Sequence, residues 1–383
     1  MIDFDVAIIG GGCAGLSLGR DLARCSQHAN SLPSVLIIEP RMRYENDRTW
    51  CFWDRARASH PLATKQWSSW RFSSGAKVHV HSSKNWSYFF VPSLKFYKQS
   101  TEFIQGCAKT KLELGCSVES ICSDDEGFLV KTSKGDVRVL KIVDTRPPDG
   151  CQLSKSSLFQ QFSGIEVQCS HTIQDSGVAG IMDNLAGDEN GVRFDYLLPI
   201  SSSRLLIETT RFSPRLLSAG QLDNELQETV SGIPEARNAR CLRSESGVIP
   251  MGMHLHPRNR RTGWITAGTR GGAVRAASGY AFRRIQKWSS ICARSIARGR
   301  GPIPHRLDKK LLQAMDRLFL QVIRDDPEFA AEAFMKLAQN VPADRLVRFL
   351  SDKGSPADLV SVISGLPSLP FLKGLAKLRS TTC

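Results

Sequence analysis

The stretch that decides the fold is "DVAIIGGGCAGLSLGRDLARC", which runs from Asp5 to Cys25 and is followed by "SVLIIEP" from Ser34 to Pro40. The apolar run before the glycines predicts a buried strand, and the residues after them predict a helix. The second apolar run predicts another strand. A strand, a helix and a strand in this order predict a βαβ unit in a parallel sheet, so the expected fold class is α/β.

The glycines between the first strand and the helix have the spacing of a dinucleotide-binding turn. Gly10 permits a tight turn, Gly12 lets a pyrophosphate approach the backbone, and Gly15 permits close packing of the helix on the strand. Glu39 ends the second strand 24 residues after Gly15, where it would accept hydrogen bonds from a ribose diol. The motif predicts an FAD or NAD site, the alternative being a glycine-rich turn without a ligand. An acid at this strand end disfavours the 2′-phosphate of NADP.

A second strand and glycine turn follow late in the chain, at "WITAGTRGG", and contain Gly268, Gly271 and Gly272. Flavoproteins often bring a second helix N-terminus to the ribityl and pyrophosphate groups from the far end of the chain. By this analogy we predict FAD as the cofactor, bound by both glycine turns.

Composition limits the class of protein. The chain has 383 residues, of which 41% are hydrophobic and 23% charged, so it has material for more than one typical domain. No apolar run is long enough to span a bilayer, and the N-terminus does not resemble a signal peptide, so we expect a cytosolic protein. The eleven cysteines lack zinc-ligand spacing, so we expect no metal site.

The net charge of +14 suggests an anionic partner. Much of the excess lies in Arg283–Arg300, where apolar residues also recur at helical spacing. A basic amphipathic helix suits an anionic membrane surface. The alternative is a solvated helix that packs on the core through its apolar face. No standard nucleic-acid-binding module is present, so we do not expect nucleic acid as a partner.

The order of predicted elements is interleaved. We expect a Rossmann-like FAD-binding domain, an inserted antiparallel β-sheet domain for the substrate, and C-terminal helices. "DRTWCFWD" (47–54) and "KQWSSWRF" (65–72) read as irregular, and 93–115 reads as a helix. The expected division is 1–60, 90–150 and 261–304 for the FAD domain, 61–89 and 151–260 for the substrate domain, and 305–383 for the helical segment.

The segment "SSSRLLIETTRF", from Ser201 to Phe212, predicts a strand with a carboxylate among apolar residues. A buried charge is costly unless it is paired or hydrogen-bonded. Glu208 is therefore either an exposed edge-strand acid paired with Arg204 or Arg211, or an acid held in place for chemistry.

These segments together resemble the bacterial lycopene β-cyclases, a family of carotenoid cyclases. The most specific match is "GIMDN" followed by "GVRFDYLLPISSSRLLIETTRFS", where the family shows M-D, R-F-x-Y-x-L-P and L-x-E-x-T. The segments "RTWCFW", "VDTRPP", "SGVIPM", "AASGYAF" and the last helical stretch resemble further family segments. Arg275 and Ser278 depart from the family pattern, as does Thr209, which stands where an acid is common.

The resemblance implies a function. Glu208 falls on the glutamate that the family needs for cyclisation, and the family works with reduced FAD, with NADPH as the expected reductant. The substrate would be lycopene, cyclised without net redox change by proton addition, ring closure and proton loss. Either Glu208 or the reduced flavin gives the proton. The alternative is a redox flavoenzyme, a monooxygenase or polyprenyl reductase, in which Glu208 would not be essential.

A C40 polyene dissolves in bilayers, so we expect peripheral contact with the anionic inner face of the cell membrane, through the basic helix and the apolar segment 359–375.

Several other residues have two interpretations each. Asp183 matches the family's M-D and is expected to be structural, while Asp144 would border the flavin. Arg193 and Asp195 are expected to form a cross-strand ion pair. The aromatic residues Trp50, Phe52 and Trp53 would either line a polyene channel or belong to the core.

Overall fold

The structure is a computed structural model that describes residues 2–26, 33–253, 262–367 and 371. Its strands are β1 (Phe4–Ile9), β2 (Val35–Glu39), β3 (Thr49–Arg55), β4 (Lys65–Trp67), β5 (Ser69–Ser74), β6 (Lys77–Ser82), β7 (Trp86–Pro92), β8 (Thr110–Leu114), β9 (Val118–Asp124), β10 (Gly127–Thr132), β11 (Gly135–Asp144), β12 (Leu158–Gln168), β13 (Val178–Asp188), β14 (Gly191–Pro199), β15 (Arg204–Ser213), β16 (Arg240–Met251) and β17 (Trp264–Thr266). Its helices are α1 (Cys13–Ser26), α2 (Ser93–Gln105), α3 (Gly150–Leu153), α4 (Ala219–Gly232), α5 (Phe282–Ala297), α6 (Lys310–Asp325), α7 (Pro327–Asn340), α8 (Ala343–Leu350) and α9 (Pro356–Gly365).

The first sheet is built around the βαβ unit. Its strand order is β8-β2-β1-β11-β10-β9, and β17 pairs with β11. β1 is parallel to both β2 and β11, and α1 connects β1 to β2. The residues from Val6 to Ile9 are buried because packed side chains cover both faces of the sheet. The predicted α/β fold is therefore confirmed.

The second sheet is mainly antiparallel and has the order β16-β12-β15-β14-β13-β5-β6. On one face Leu206 belongs to a core cluster with Phe334 and other residues of the C-terminal helices. On the other face Leu205 packs with Leu226 of α4. β15 lies between β12 and β14, so Glu208 sits on an interior strand.

Two parts of the chain differ from the sequence-based expectation. The stretches 47–54 and 65–72 largely form strands, and β3-β7-β4 is a small third sheet. Their aromatic side chains, such as Trp67 and Trp70, are buried in the core, which favours extended backbone. The predicted helix 93–115 ends at Gln105, because the next residues form β8 and pair in parallel with β2.

The C-terminal segment is helical as predicted. Pro327 and Pro356 are the first residues of α7 and α9, and Pro342 is the N-cap of α8. Proline is tolerated there because its missing N–H would have no helical partner. Of 359–375, only 359–367 and 371 are described. No helix among the described residues is long and apolar enough to cross a membrane.

The basic helix α5 packs on α1 through its apolar face. Ile285, Trp288, Cys292 and Ile296 are buried in the same cluster as the apolar residues of α1, and only Ile291 is exposed. The alternative of a helix that packs on the core is therefore the correct one. The apolar face of α5 is therefore not available to a membrane, and any membrane contact of this helix would have to use its basic face.

Candidate active site

The first glycine turn has the geometry that the motif predicts. Gly10 has a φ of +97°, a conformation that favours glycine. A Cβ on Gly15 would lie 1.9 Å from the Gly10 carbonyl oxygen, so the helix approaches the turn as closely as only glycine allows. A Cβ on Gly12 would meet no atom within 4 Å. This open space at the start of α1 fits a pyrophosphate.

Glu39 lies at the end of β2, as predicted, and is buried. Its Oε2 accepts a hydrogen bond of 2.6 Å from the Gly11 N–H, and its Oε1 accepts one of 2.8 Å from Arg41 Nε. Glu39 thus fastens the glycine turn to the second strand. Sequence reasoning missed Gly11 and Arg41, although a basic residue two positions after the strand-end acid was a visible signal.

The second glycine turn approaches the first. A Cβ on Gly268 would lie 3.2 Å from the Cβ of Ala14 in α1, and the Gly268 N–H donates to His305 Nε2 at 3.0 Å. Gly272 has a φ of +90°, and Gly271 lies tight against a backbone carbonyl of β17. The two turns therefore meet at one edge of the first sheet.

Asp144 ends β11 at this same edge. It is fully buried, and its carboxylate accepts hydrogen bonds of 2.7 Å from Arg146 Nη2 and 3.2 Å from Arg270 Nη1. Its backbone carbonyl accepts from the Ala267 N–H at 2.8 Å. Asp144 therefore fastens the second turn to the end of β11, and its contact with a flavin stays a prediction.

Glu208 lies in a row that crosses the second sheet. Glu208 of β15 is paired with Tyr196 of β14 on one side and with Gly164 of β12 on the other. Gly164 is in turn paired with Glu245 of β16. Directly paired residues point to the same face of a sheet. Gly164 has no side chain, and a Cβ there would lie 3.0 Å from the Glu208 Cβ. The two carboxyl groups therefore approach each other across this glycine.

The two carboxyl groups have different partners. Glu208 Oε1 accepts one hydrogen bond, of 3.1 Å, from Thr210 Oγ1. Glu245 is buried, and its Oε2 accepts hydrogen bonds of 2.5 Å from Arg243 Nη1 and 2.9 Å from Thr49 Oγ1. Glu245 thus faces an arginine, whereas Thr210 is the one hydrogen-bond donor to Glu208 among the described residues.

The environment favours the protonated form of Glu208. Burial raises the pKa of Glu208 well above its usual range, and the nearby Glu245 carboxylate raises this pKa further. Thr210 and Arg243 oppose this rise to a smaller extent. A glutamate whose pKa is raised in this way is suited to give a proton to a bound molecule.

Aromatic residues border Glu208. Burial raises the pKa of Tyr196 and of Cys51 well above their usual ranges, yet both side chains, like Glu208, keep some accessible surface. These three side chains therefore lie in a region that is largely desolvated but partly accessible. Tyr280 packs edge-on against Trp53 at a ring-centroid distance of 5.5 Å. Aromatic faces around an acid can stabilise a cation that the acid creates.

The interpretation of Glu208 as an edge acid paired with an arginine is wrong. Arg204 pairs with Glu166, and Arg211 donates to Asp188 at 2.7 Å. Both arginines thus have other carboxylates as partners, and β15 is an interior strand.

The predicted ion pair between Arg193 and Asp195 is also wrong. Arg193 donates to Glu228 of α4 at 3.2 Å, while Asp195 accepts hydrogen bonds of 2.8 Å from both Asn184 and Thr209. The helix α4 covers this face and supplies other partners, which the strand pattern alone does not indicate. Thr209, where the family often has an acid, therefore lies on the opposite face of the sheet from Glu208.

Asp183 has the predicted structural role: it is buried and accepts hydrogen bonds from Arg71 Nε at 3.0 Å and Nη2 at 2.7 Å. The three aromatic residues belong to the core or pack against it. Phe52 and Trp53 are buried, and Trp50 stacks on Phe282 at 5.2 Å. Trp53 also contacts Tyr88 at a ring-centroid distance of 4.6 Å, and a role in lining a polyene channel stays a prediction.

Comparisons with known proteins agree with this geometry. A family model described as "Lycopene cyclase protein" matches residues 5–376. A lycopene beta-cyclase from Pantoea ananas is 24% identical over 99% of this chain and 98% of its own length. A solved geranylgeranyl bacteriochlorophyll reductase-like protein from Thermoplasma acidophilum has a TM-score of 0.62 at 13% identity, covering 98% of this chain and 99% of its own.

A solved flavoprotein/dehydrogenase from Cytophaga hutchinsonii has a TM-score of 0.57 at 12% identity and covers 99% of both chains. At these identities the two structural likenesses establish the flavoprotein fold and nothing finer. The family match extends over nearly the whole chain, and it includes the strand that carries Glu208. The protein belongs to the lycopene cyclase family.

Proposed function

We propose that the protein is a lycopene β-cyclase, which closes the ψ ends of lycopene to β-ionone rings and gives β-carotene by way of γ-carotene. The observation that carries this proposal is the position of Glu208: it lies in a largely desolvated region beside Tyr196 and across Gly164 from the Glu245 carboxylate, which favours its protonated form. Protonation of a carbon–carbon double bond needs such an acid, because water would quench the carbocation that results. Membership of the lycopene cyclase family supports the choice of substrate.

The reaction follows from the residues around Glu208. Glu208 gives its proton to the terminal double bond of the polyene, which leaves a tertiary carbocation. An internal double bond attacks this carbocation and closes a six-membered ring. Loss of a proton from the ring then sets the β double bond. The faces of Tyr196 and Tyr280 border the charge while it exists. One proton is added and one is lost, so the reaction has no net redox change.

The cofactor that we propose is FAD, held by Gly10, Gly12 and Gly15, by Glu39, and by the second glycine turn at Gly268, Gly271 and Gly272. The open space before Gly12 and the approach of Gly268 to α1 support this assignment. When bound in its reduced form, with NADPH as the reductant, FAD supplies an electron-rich, negatively charged group.

We also propose that the protein contacts the anionic inner face of the cell membrane, because its substrate dissolves in the bilayer. The net charge of +14 supports this contact. The apolar face of α5 is packed on α1, so the contact would use the basic face of that helix.

The test of the proposed function is pigment chromatography in a bacterial host that accumulates lycopene. The wild type is compared with Glu208→Gln and with Glu119→Gln, an exposed acid of β9 that serves as the matched control. We expect β-carotene from the wild type and the control, and a decrease of about 100-fold or more from Glu208→Gln.

If Glu208→Gln made β-carotene at the wild-type level, the proposed catalytic role of Glu208 would be contradicted. The proposal that the protein is a cyclase would still stand. Unchanged lycopene with the wild type, together with NADPH oxidation that matches a different product, would contradict the proposal and support the redox flavoenzyme.

A further inference from the structure

Glu245 has a buried oxygen without a partner. Its side chain is 1% exposed, and its Oε2 is held by Arg243 and Thr49. Its Oε1 has no hydrogen-bond donor among the described residues. A buried carboxylate oxygen without a hydrogen-bond donor destabilises the folded state, so a proton beside this oxygen would be stabilising.

Glu208 can supply that proton. Its carboxyl group lies within hydrogen-bonding reach of Glu245 across Gly164, and its Oε1 is already occupied by Thr210. Two carboxyl groups at this separation do not both ionise readily, because each negative charge opposes the other. The pair therefore holds one proton. It belongs to Glu208, because Glu245 is the member that faces an arginine.

The charged and titratable groups around the pair come from several strands. On β16, Arg243 lies beside Glu245 and also donates to Glu166 of β12 at 2.7 Å, so two carboxylates share its positive charge. Tyr196 of β14 and Cys51 of β3 also face Glu208, and burial keeps both protonated at neutral pH. Among the described groups, Glu245 is therefore the carboxylate whose charge acts on Glu208.

We infer that Glu245 is the positioning residue of the cyclisation acid: fixed across Gly164 by Arg243 and Thr49, its negative charge keeps the transferable proton on Glu208. The inference rests on the proposed function and deepens it. When Glu208 gives its proton to the polyene, a new C–H bond forms and two carboxylates lie side by side. Their repulsion favours the return of the proton that the ring cation loses. The pair then again holds one proton, and the cycle is balanced.

The test is an infrared titration of the purified FAD-loaded protein without substrate. The spectrum of Glu208→Gln is subtracted from that of the wild type, so that the bands of other protonated carboxyl groups cancel. The band that remains is the carbonyl stretch of protonated Glu208. The variants are Glu245→Gln, which removes the charge, and Glu245→Asp, which keeps it. Glu166→Gln is the matched control, because it removes a different carboxylate from the same arginine.

We expect the Glu208 band to titrate at a lower pH in Glu245→Gln, by about one unit or more. We expect it to stay near the wild-type position in Glu245→Asp and Glu166→Gln. Gly164→Ala is the second variant, for use if Glu245→Gln does not fold. Its added methyl group would press on Glu208. We expect it to shift the titration of the Glu208 band in the same direction as Glu245→Gln.

An unchanged titration of the Glu208 band in Glu245→Gln would overturn the inference. If Glu245→Gln does not fold, an unchanged titration in Gly164→Ala would overturn it. So would a protonated-carboxyl band that is present in the undifferenced spectra of the wild type and Glu208→Gln and absent from that of Glu245→Gln, since the proton would then belong to Glu245. A shift in Glu245→Asp as large as in Glu245→Gln would assign the effect to shape and not to charge. Because no substrate is present, these outcomes do not depend on whether lycopene is cyclised.

Discussion

Glu208 differs from two other buried carboxyl groups, Asp144 and Asp358, in the donors that surround it. Asp144 accepts hydrogen bonds from two arginines. Asp358 accepts hydrogen bonds of 2.9 and 2.6 Å from Arg348, and these bonds hold the pKa of Asp358 below its usual range. Glu208 receives one threonine hydroxyl and faces a second carboxylate. The first two groups fasten the fold through arginines, whereas the surroundings of Glu208 favour its protonated form, which an acid catalyst needs.

The first prediction concerns the stability of the Glu208→Gln variant. The folded state raises the pKa of Glu208 above its unfolded value. The contribution of this group to stability is therefore complete below the unfolded pKa and is lost as the pH rises through the folded pKa. Glutamine does not titrate. We expect Glu208→Gln to be more stable than the wild type at pH 8, by about 1 kcal/mol, with a smaller difference at pH 5.

Thermal unfolding of both proteins at the two pH values measures this difference. Glu119→Gln controls for the loss of one acid at an exposed position. A Glu208→Gln variant that is less stable than the wild type at pH 8 would show that Glu208 is held there as a charged, well-paired group.

Sequence pattern and family resemblance were enough to select Glu208, but they did not select Glu245. The pairing of the two depends on the register of β12, β15 and β16, strands that are far apart in the chain. It also depends on Gly164, which carries no signal of its own. The available signal was an acid at Glu245 directly before the "SGVIPM" segment, two residues from Arg243 and therefore on the same face.

At the scale of elements, the second sheet is held together by contacts between distant segments. β5 pairs in parallel with β13, and this junction is fastened by three hydrogen bonds from Arg71 to the buried Asp183. Ser73 Oγ adds a fourth, of 2.9 Å. The junction keeps the outer strands β5 and β6 attached to the sheet that presents Glu208.

The second prediction concerns this junction. Asp183→Asn leaves Arg71 without its buried carboxylate, and we expect a loss of about 3 kcal/mol in the free energy of unfolding. Asp175→Asn is the control: Asp175 is 4.0 Å from the same arginine and mostly exposed, so the change is expected to stay within about 0.5 kcal/mol.

Urea denaturation measures both values, and cyclisation by folded Asp183→Asn at low temperature is expected to persist. A folded but inactive Asp183→Asn variant with wild-type stability would contradict the structural role.

The elements that the sequence predicted well are those whose signals are local. β1, α1 and β2 follow from an apolar run, a glycine turn and a second apolar run, and the C-terminal helices follow from their prolines. β8 was missed because a short strand after a helix has no distinctive pattern until it pairs with β2. β3 and β5 were read as irregular because their aromatic residues follow no strict alternation, yet tertiary packing makes them strands.

At the scale of the whole molecule, the positive charge and the packing of α5 make a third prediction. Only the basic face of that helix is free, so membrane contact would be electrostatic and sensitive to salt. We expect the protein to float with liposomes that contain anionic lipid and to be released by high salt. The paired variant Arg294→Glu/Arg298→Glu, at two exposed positions of this region, is expected to weaken flotation more than Lys131→Glu in the first sheet. Protein that stays wholly in solution with anionic liposomes would contradict a membrane contact.

The central claim is that the chain catalyses an acid–base cyclisation, and the most direct test is the reaction in D₂O. Purified protein with reduced FAD converts lycopene in liposomes, and mass spectrometry of the product counts the deuterium. Since Glu208 exchanges its proton with solvent and adds it to carbon, we predict β-carotene with one deuterium per ring and no matching oxidation of NADPH. A product without solvent deuterium, formed as NADPH is consumed in equal amount, would contradict the account and identify a redox flavoenzyme.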